Sequence, residues 1–209
     1  MTIETVRHRA PLALAAALLL AVPTLASAQD PTAAAVSGPL LSPFAAARVA
    51  IVPVQLWRAD TMAWSKALVW SEVRNALDSA VSMQLRERGL GKRWAYAEDV
   101  VRSAKRNPTY ASDPYALGAT RWRAVPPKAG EALPGLLADN LRTVTALGDT
   151  RYALIPVELR AAGDAVVLRL VLADTRARTV VWAGDLISPA GPGMIEALAT
   201  RVADLIIEP

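Results

Sequence analysis

Acidic side chains are the main candidates for catalysis in this chain, because the sequence leaves few other reactive groups. It contains no cysteine and one histidine, His8, so thiolate nucleophiles, disulfides and cysteine-bound metals are excluded. Glu158, Asp174 and Asp185 lie in or beside predicted strands, and a pair of carboxylates could serve glycoside hydrolysis. The alternative is that they stabilise turns and sheet edges, for which an aspartate before Thr175 is well suited. We favour the second interpretation and predict that the chain is not an enzyme.

Residues 86–123 depart from the rest of the chain in composition. They hold nine basic and four acidic side chains, with five tryptophan or tyrosine residues interleaved. Arginine and aromatic side chains together bind polyanions, stack on sugars or form protein interfaces. The alternative is a solvated short helix and a loop whose aromatic residues anchor it to the core. The candidate residues for binding a partner protein, or an anionic or glycan polymer, are Arg93, Trp94, Arg102, Arg106, Tyr110, Tyr115, Arg121, Trp122 and Arg123.

The sequence carries no recognisable motif for a cofactor or a metal. Gly89 and Gly91 are not followed by the further glycine and the Lys-Ser/Thr pair that a phosphate-binding loop requires. The single histidine lies in a segment that we expect to be removed. We therefore predict no cofactor and no metal site.

The first 28 residues have the order of a secretory signal. Arg7 and Arg9 precede an apolar run at 11–22, and Ala26-Ser27-Ala28 supplies the small residues of a cleavage site. A twelve-residue helix rises about 18 Å, too short for the ~30 Å hydrocarbon core of a membrane. We predict an exported protein, periplasmic or secreted after cleavage following Ala28, with no membrane span or lipid anchor in the mature chain. Export also makes a nucleic-acid partner unexpected.

The remaining chain reads as a flexible Pro/Ala-rich lead-in at 29–47 and one domain at 48–209. The apolar, β-branched run at 49–56 predicts a buried strand, with Pro53 at an edge, a bulge or the strand's end. Apolar residues at four-residue spacing predict a long helix over 62–88, capped by Asp60 or Thr61 and stopped by Gly89.

The rest of the domain alternates between shorter elements. We predict a short strand at 94–97, a helix at 98–106, a long loop at about 107–134, and a helix from Pro134 to Gly148. Strands at 151–160, 166–173 and 179–187 follow closely, and a helix begins near Pro192. The predicted fold class is α/β (α+β) with a single mixed β-sheet. Its start is a parallel β-α-β unit, its end an antiparallel three-strand meander, and three to four helices pack on it.

Four runs of sequence carry a family resemblance: Val-Ala-Ile-Val-Pro-Val from position 49, Arg-Tyr-Ala-Leu-Ile-Pro-Val-Glu-Leu from 151, Val-Leu-Arg-Leu-Val-Leu-Ala-Asp-Thr from 167, and Val-Val-Trp-Ala-Gly from 180. They resemble the sheet of the TolB amino-terminal domain and of its relatives in curli-secretion lipoproteins and penicillin-binding-protein activators. The resemblance covers roughly 48–106 and 135–207. It implies a non-catalytic role in envelope assembly or secretion, but its residues are core and turn residues, so no site is carried over. The lipoprotein relatives have an anchoring cysteine that this chain lacks.

These observations predict an exported domain that binds other envelope proteins through a helix face or a free sheet edge. The alternative is a module that binds an anionic or glycan polymer through residues 86–123. Polymer binding of this kind would weaken steeply with salt, whereas an apolar protein interface would not.

Overall fold

The structure is a computed structural model that describes residues 39–60 and 62–208. The predicted signal peptide at 1–28 and the first part of the predicted lead-in lie outside the described residues. Within the described ranges, no helix is both long and apolar enough to cross a membrane.

Six strands form one mixed sheet, which confirms the predicted fold class. Its central path runs β3-β1-β4-β5-β6; β1 is parallel to β3 and β4, and β2 is parallel to β4. The β4-β5-β6 part is the predicted antiparallel meander. The strands are β1 (Val49–Ile51), β2 (Leu56–Arg58), β3 (Trp94–Ala95), β4 (Tyr152–Ala162), β5 (Ala165–Asp174) and β6 (Thr179–Pro189).

Helices cover both faces of the sheet. The helix α2 packs with α6 against one face, around Leu77 and Leu198. The opposite face carries α3 and α5, with Leu137 and Leu141 fully buried. The described residues hold six α-helices rather than three to four, because two are single turns of four residues. The helices are α1 (Ala63–Lys66), α2 (Trp70–Leu85), α3 (Ala97–Arg106), α4 (Arg121–Ala124), α5 (Gly135–Leu147) and α6 (Met194–Asp204).

The predicted strand at 49–56 is two short strands, β1 and β2, separated by residues 52–55. Pro53 lies in this interruption, as its missing N–H favours. The N–H of Val54 donates instead to the carboxylate of Asp78 on α2, at 3.3 Å. The buried side chain of Gln55 donates to the carbonyls of Pro53 and Pro114 and accepts the N–H of Leu117. The interruption therefore ties the residues after α3 to the sheet.

The long helix is shorter than its pattern suggests. It begins at Trp70 rather than near residue 62, and Val69 precedes it without a side-chain cap. The carboxylate of Asp60, a predicted cap, accepts the N–H of Gly163 at 2.9 Å instead. At the other end, a π-helical turn at Arg86–Leu90 continues α2, and Gly89 within it adopts the left-handed conformation with φ +92°, as predicted for the stop.

The described part of the predicted lead-in packs against the domain rather than extending from it. Leu41 is buried, and its N–H donates to the carbonyl of Leu205 at 2.7 Å. The ring of Phe44, in a 3₁₀ turn at Ser42–Phe44, meets the ring of Tyr152 edge-on at 5.1 Å. These two apolar side chains outweigh the flexibility that the surrounding small residues suggest.

Asp78 makes stability depend on pH. Burial raises the pKa of this carboxyl to about 7, against the opposing effect of the Val54 hydrogen bond. The folded state then holds a proton that the unfolded state releases near pH 4, so stability falls as pH rises from about 4 to 7. In the wild-type protein the free energy of unfolding should fall by roughly 2–4 kcal/mol across this pH range, and we expect Asp78→Asn to abolish that fall. Urea unfolding between pH 5 and 8 measures it.

The control for this prediction is Asp164→Asn, which removes an exposed carboxylate in a turn. It should keep the wild-type pH slope. An equal slope in Asp78→Asn and wild type would contradict the assignment.

Candidate functional site

Residues 86–123, which we call the basic–aromatic segment, are divided by the fold among several parts of the molecule. Trp94 and Trp122 are buried at 4 % and 2 % exposure, so neither can contact a polymer at the surface. They follow the alternative interpretation, in which aromatic residues anchor the segment to the core. Their side chains lie in different clusters, Trp94 under α2 and α6 and Trp122 under α5.

The exposed members of the segment are also spread out. Arg93 donates to the carbonyl of Ala46 at 3.0 Å, and Arg102 pairs with Asp99 one turn earlier on α3. Arg106, Tyr110 and Arg121 are exposed, on the end of α3, in the loop after it and on α4. Tyr115, Trp122 and Arg123 lie at one end of the sheet, and Arg121 stands beside them on α4. Polymer binding through the whole segment therefore stays a prediction.

At that end of the sheet, Glu158 is the buried centre of a charged group. Its side chain is fully buried, and its Oε1 accepts a 2.8 Å hydrogen bond from Nε of Arg123 on α4. Arg58 on β2 approaches the other carboxylate oxygen at 3.5 Å. A buried carboxylate requires such partners, because its desolvation is costly.

A β-bulge aims Glu158 at these partners. The β4–β5 register shifts between Pro156 and Glu158, after which Glu158 lies opposite Arg169. Strict alternation would place residue 158 on the face opposite Ile155 and Val157, towards the apolar core under α2. The bulge instead turns Glu158 to the face that Arg169 shares.

Arg169 links this face to β6 and to α4. Its guanidinium donates to both carboxylate oxygens of Asp185, at 2.8 and 3.1 Å, and to the carbonyl of Trp122 at 2.9 Å. Arg160 donates to the same carboxylate at 3.0 Å. We call Arg58, Arg123, Glu158, Arg160, Arg169 and Asp185 the arginine–carboxylate network.

The carboxylates raised as catalytic candidates are held by cations. Burial raises the pKa of Asp185, but hydrogen bonds from Arg169 and Arg160 outweigh it and leave the pKa below its ordinary value. Burial also raises the pKa of Asp174, and hydrogen bonds from Arg151 and two backbone N–H groups again lower it on balance. A glycosidase acid needs a raised pKa. Asp174 and Asp185 therefore favour the ionised form and do not suit the acid role.

An aromatic and cationic row lies beside the network. The rings of Trp57 and Trp70 stack at 5.9 Å with an interplanar angle of 10°. Arg74 lies 5.9 Å from the Trp70 ring and 4.0 Å from the Tyr115 ring. The carbonyl of Trp57 also accepts a 3.4 Å hydrogen bond from Arg123. Trp57, Trp70 and Arg74 are not among the residues predicted to bind a partner; the i,i+4 spacing of Trp70 and Arg74 was the available indication.

The outer edge of β6 borders the network. Its first residues pair with the loop at 130–133, where Val180 exchanges two backbone hydrogen bonds with Gly130 and Glu131. Among the described residues, no backbone–backbone hydrogen bond outside the β5 ladder reaches residues 182–189. The N–H of Ala190 points towards Asp164 at the start of β5. By alternation, the backbone groups of Ala183, Asp185 and Ile187 point outward, unpaired. We call residues 182–189 the β6 edge.

Comparison with known proteins does not place the chain in a family, since no protein-family model and no curated protein matches it. The solved structures to which the chain is similar include the following three. LpoB of Escherichia coli is 12 % identical, with 91 % of this chain and 90 % of that chain covered and a TM-score of 0.40. Lipoprotein GNA1162 of Neisseria meningitidis is 14 % identical over 74 % and 91 %, with a TM-score of 0.34. The PelC dodecamer of Paraburkholderia phytofirmans is 16 % identical over 81 % and 91 %, with a TM-score of 0.36.

No function is transferred from these structures. The sequence resemblance to the TolB amino-terminal domain stays a prediction.

Proposed function

We propose that this chain is an exported, non-enzymatic domain that binds another envelope protein by pairing with an extended segment of it along the β6 edge. The observation that supports it is the set of unpaired backbone groups at Ala183, Asp185 and Ile187. Such groups bind an incoming strand through main-chain hydrogen bonds. Export rests on the sequence at 1–28, outside the described residues.

The middle of the β6 edge carries neither a lysine nor a proline, two residues that commonly block strand pairing. Residues 179–189 contain no lysine, and their one proline, Pro189, stands at the end. The charged residue in the middle, Asp185, is drawn inward by Arg169 and Arg160. Ile187 exposes 56 % of its surface beside the unpaired groups. An extended segment can therefore approach the strand and bury an apolar side chain on Ile187.

The charge beside the edge specifies the partner further. The arginine–carboxylate network contains four arginines and two carboxylates. Arg58 and Arg123 keep 47 % and 43 % of their side chains exposed. An excess of half-exposed arginine favours a segment with an acidic side chain near its apolar one. The proposed partner is thus an extended, apolar and acidic segment of an envelope protein.

The test is Ile187→Pro, which removes an outward N–H that the β5 ladder does not use. The complex that contains this chain is isolated from gently fractionated cell envelopes, and its particle size is measured. We expect the wild-type particle to be larger than the free chain and the Ile187→Pro particle to be the size of the free chain. Hydrogen exchange should show the amides of Ala183, Asp185 and Ile187 protected in the wild-type particle and exposed in the variant. Because main-chain pairing carries the binding, the wild-type particle should survive high salt.

Two variants act as controls. Ile187→Ala keeps the N–H and should retain the particle, with weaker binding. Leu186→Pro removes a ladder hydrogen bond and should destabilise the fold itself. A wild-type particle that contains only copies of this chain, or one that Ile187→Pro leaves intact, would overturn the proposal.

A further inference from the structure

We infer that a second site, an arginine-lined cleft at the opposite end of the sheet, binds an anionic ligand that bears a phosphate-type oxyanion. The cleft has a volume of about 590 Å³ and lies where α5 ends, where β4 begins and where β5 turns into β6. It is lined by Arg48, Arg142, Arg151, Arg176 and Arg178, which we call the arginine cleft. None of these residues belongs to the basic–aromatic segment or to the β6 edge.

The charge of the arginine cleft is only partly neutralised. Arg48 pairs with Asp149, Arg151 with Asp174 at 2.6 Å, and Arg178 with Asp139 at 2.9 Å. Among the described residues, no carboxylate lies within ion-pair distance of Arg142 or Arg176. The five arginines therefore face three carboxylates, which leaves two guanidinium groups without a counter-charge.

The Arg48–Asp149 pair does not close the cleft. Its side chains are 62 % and 89 % exposed, and an ion pair this exposed contributes little to stability. An incoming oxyanion can take Arg48 from Asp149 at small cost. The guanidinium fork binds phosphate through two parallel hydrogen bonds, so arginine suits this ligand better than lysine does.

The backbone around the cleft is held in an unusual conformation. Among the described residues, the non-glycine residues with positive φ are Asp149 (+48°) and Arg178 (+58°), and both line the cleft. Asp149 is of a type that adopts this conformation readily, whereas Arg178 stands at a hairpin position that favours glycine. Glycine there would remove the strain and the cation together. Backbone strain of this kind is concentrated at ligand sites.

The end of α5 is the main opposing feature, because the carboxyl end of a helix repels anions. The carbonyl of Thr145 in its last turn is occupied by the N–H groups of Gly148 and Thr150 and by the Thr150 hydroxyl. The two guanidinium groups without a counter-charge, Arg142 and Arg176, still exceed the roughly half charge of a helix end. The balance favours an anion.

The size of the cleft sets the ligand class. A volume of this order is typical of sites for small molecules, and it admits a phosphate with an attached sugar or glycerol. The same chemistry occurs in a soluble phosphate ester and in the headgroup of an anionic phospholipid. The site can thus work independently of the β6 edge, or place the domain beside a membrane while the edge binds a protein.

The test uses the full chain with two probes, pyrophosphate in solution and vesicles of phosphatidylglycerol in phosphatidylcholine. We expect Arg142→Gln and Arg176→Gln each to weaken binding about 10-fold or more, since each removes a charge-assisted hydrogen bond to the oxyanion. Both arginines are exposed and unpaired, so neither substitution should unfold the chain. Arg201→Gln, the matched control, removes an exposed arginine of α6 that belongs to neither the basic–aromatic segment nor the arginine cleft.

The pattern of binding losses distinguishes a soluble phosphate ligand from a lipid headgroup, and both of these from the absence of an anion site. Pyrophosphate binding that is lost in both cleft variants and kept in Arg201→Gln supports a soluble phosphate ligand. Vesicle binding with the same pattern, without pyrophosphate binding, supports a lipid headgroup. Equal losses in all three variants, or no binding of either probe, would overturn the inference. Ile187→Pro should leave probe binding unchanged.

Discussion

Replacing Arg169 with leucine should lower the free energy of unfolding by about 3–5 kcal/mol, the range for breaking a buried ion pair from one side. Arg169 is 6 % exposed and donates to Asp185, to Trp122 and, at 3.3 Å, to the carbonyl of Arg123. Its loss leaves the fully buried Glu158 with one cation fewer nearby and two carbonyls without their donor. Leucine fills the space without replacing either function. Urea unfolding at neutral pH measures the change.

Arg160→Leu is the matched control for Arg169→Leu. Arg160 donates to the same carboxylate, but through one hydrogen bond at 3.0 Å, and 21 % of its side chain is exposed. We expect a loss of about 0.5–1.5 kcal/mol. Similar losses in the two variants would show that burial of Arg169 contributes nothing. The β6 edge should also lose partner binding in Arg169→Leu, because Asp185 is then free to turn outward.

Replacing Trp122 with alanine should lower the free energy of unfolding by about 3–5 kcal/mol, as removal of a buried tryptophan typically does. Trp122 is 2 % exposed. It packs with Leu117 and Leu133, which also lie in residues 107–134, and with Leu137 of α5. It lies on a helix of four residues, which is too short to persist without tertiary packing. Hydrogen exchange should show residues 107–134 opening before the rest of the domain.

Tyr110→Ala is the control for Trp122→Ala. Tyr110 belongs to the same predicted set of binding residues but is 57 % exposed, so its loss should change stability by no more than about 0.5 kcal/mol. If Trp122→Ala kept full stability and lost only ligand binding, the core position of Trp122 would be contradicted.

The two proposed binding sites lie at opposite ends of the sheet. Towards the carboxyl end of β4, the network connects residues 107–134 to the sheet. Arg123 pairs with Glu158 on β4, and the carbonyl of Trp122 accepts a hydrogen bond from Arg169 on β5, the neighbour of β6. Towards its amino end lies the arginine cleft, whose five arginines face three carboxylates. The proposed protein partner and the proposed anionic ligand would therefore use different residues.

Local pattern predicted most of the elements. The alternation at 166–173 identified β5, and the apolar stripe ending before Gly89 identified α2, although its start was placed too early. Pro53 was predicted at an edge, a bulge or the strand's end, and it lies just after the end of β1; the pattern could not show that β2 would follow it. Periodicity reports which face of an element is apolar; it does not report where a neighbouring strand stops pairing.

The same limit of sequence pattern applies to single side chains. Four aromatic residues of the basic–aromatic segment show it: Tyr110, Tyr115, Trp94 and Trp122. All four are aromatic residues among basic ones, yet two are core residues and one is mostly exposed. The sequence around them contains too little periodicity to distinguish these cases. Burial in this stretch is decided by Gln55 and by α5, which are distant in the chain.

The sequence by itself determined the mixed sheet, its antiparallel meander, the exclusion of cysteine chemistry and the prediction of export. The tertiary structure alone decided the network, the β6 edge and the arginine cleft. Each of these joins residues far apart in the chain, as Arg58 and Glu158 are. Each also depends on register, and a one-residue bulge before Glu158 decides which face its carboxylate meets. Composition records which charges are present, and the pairing of strands determines which of them are neutralised.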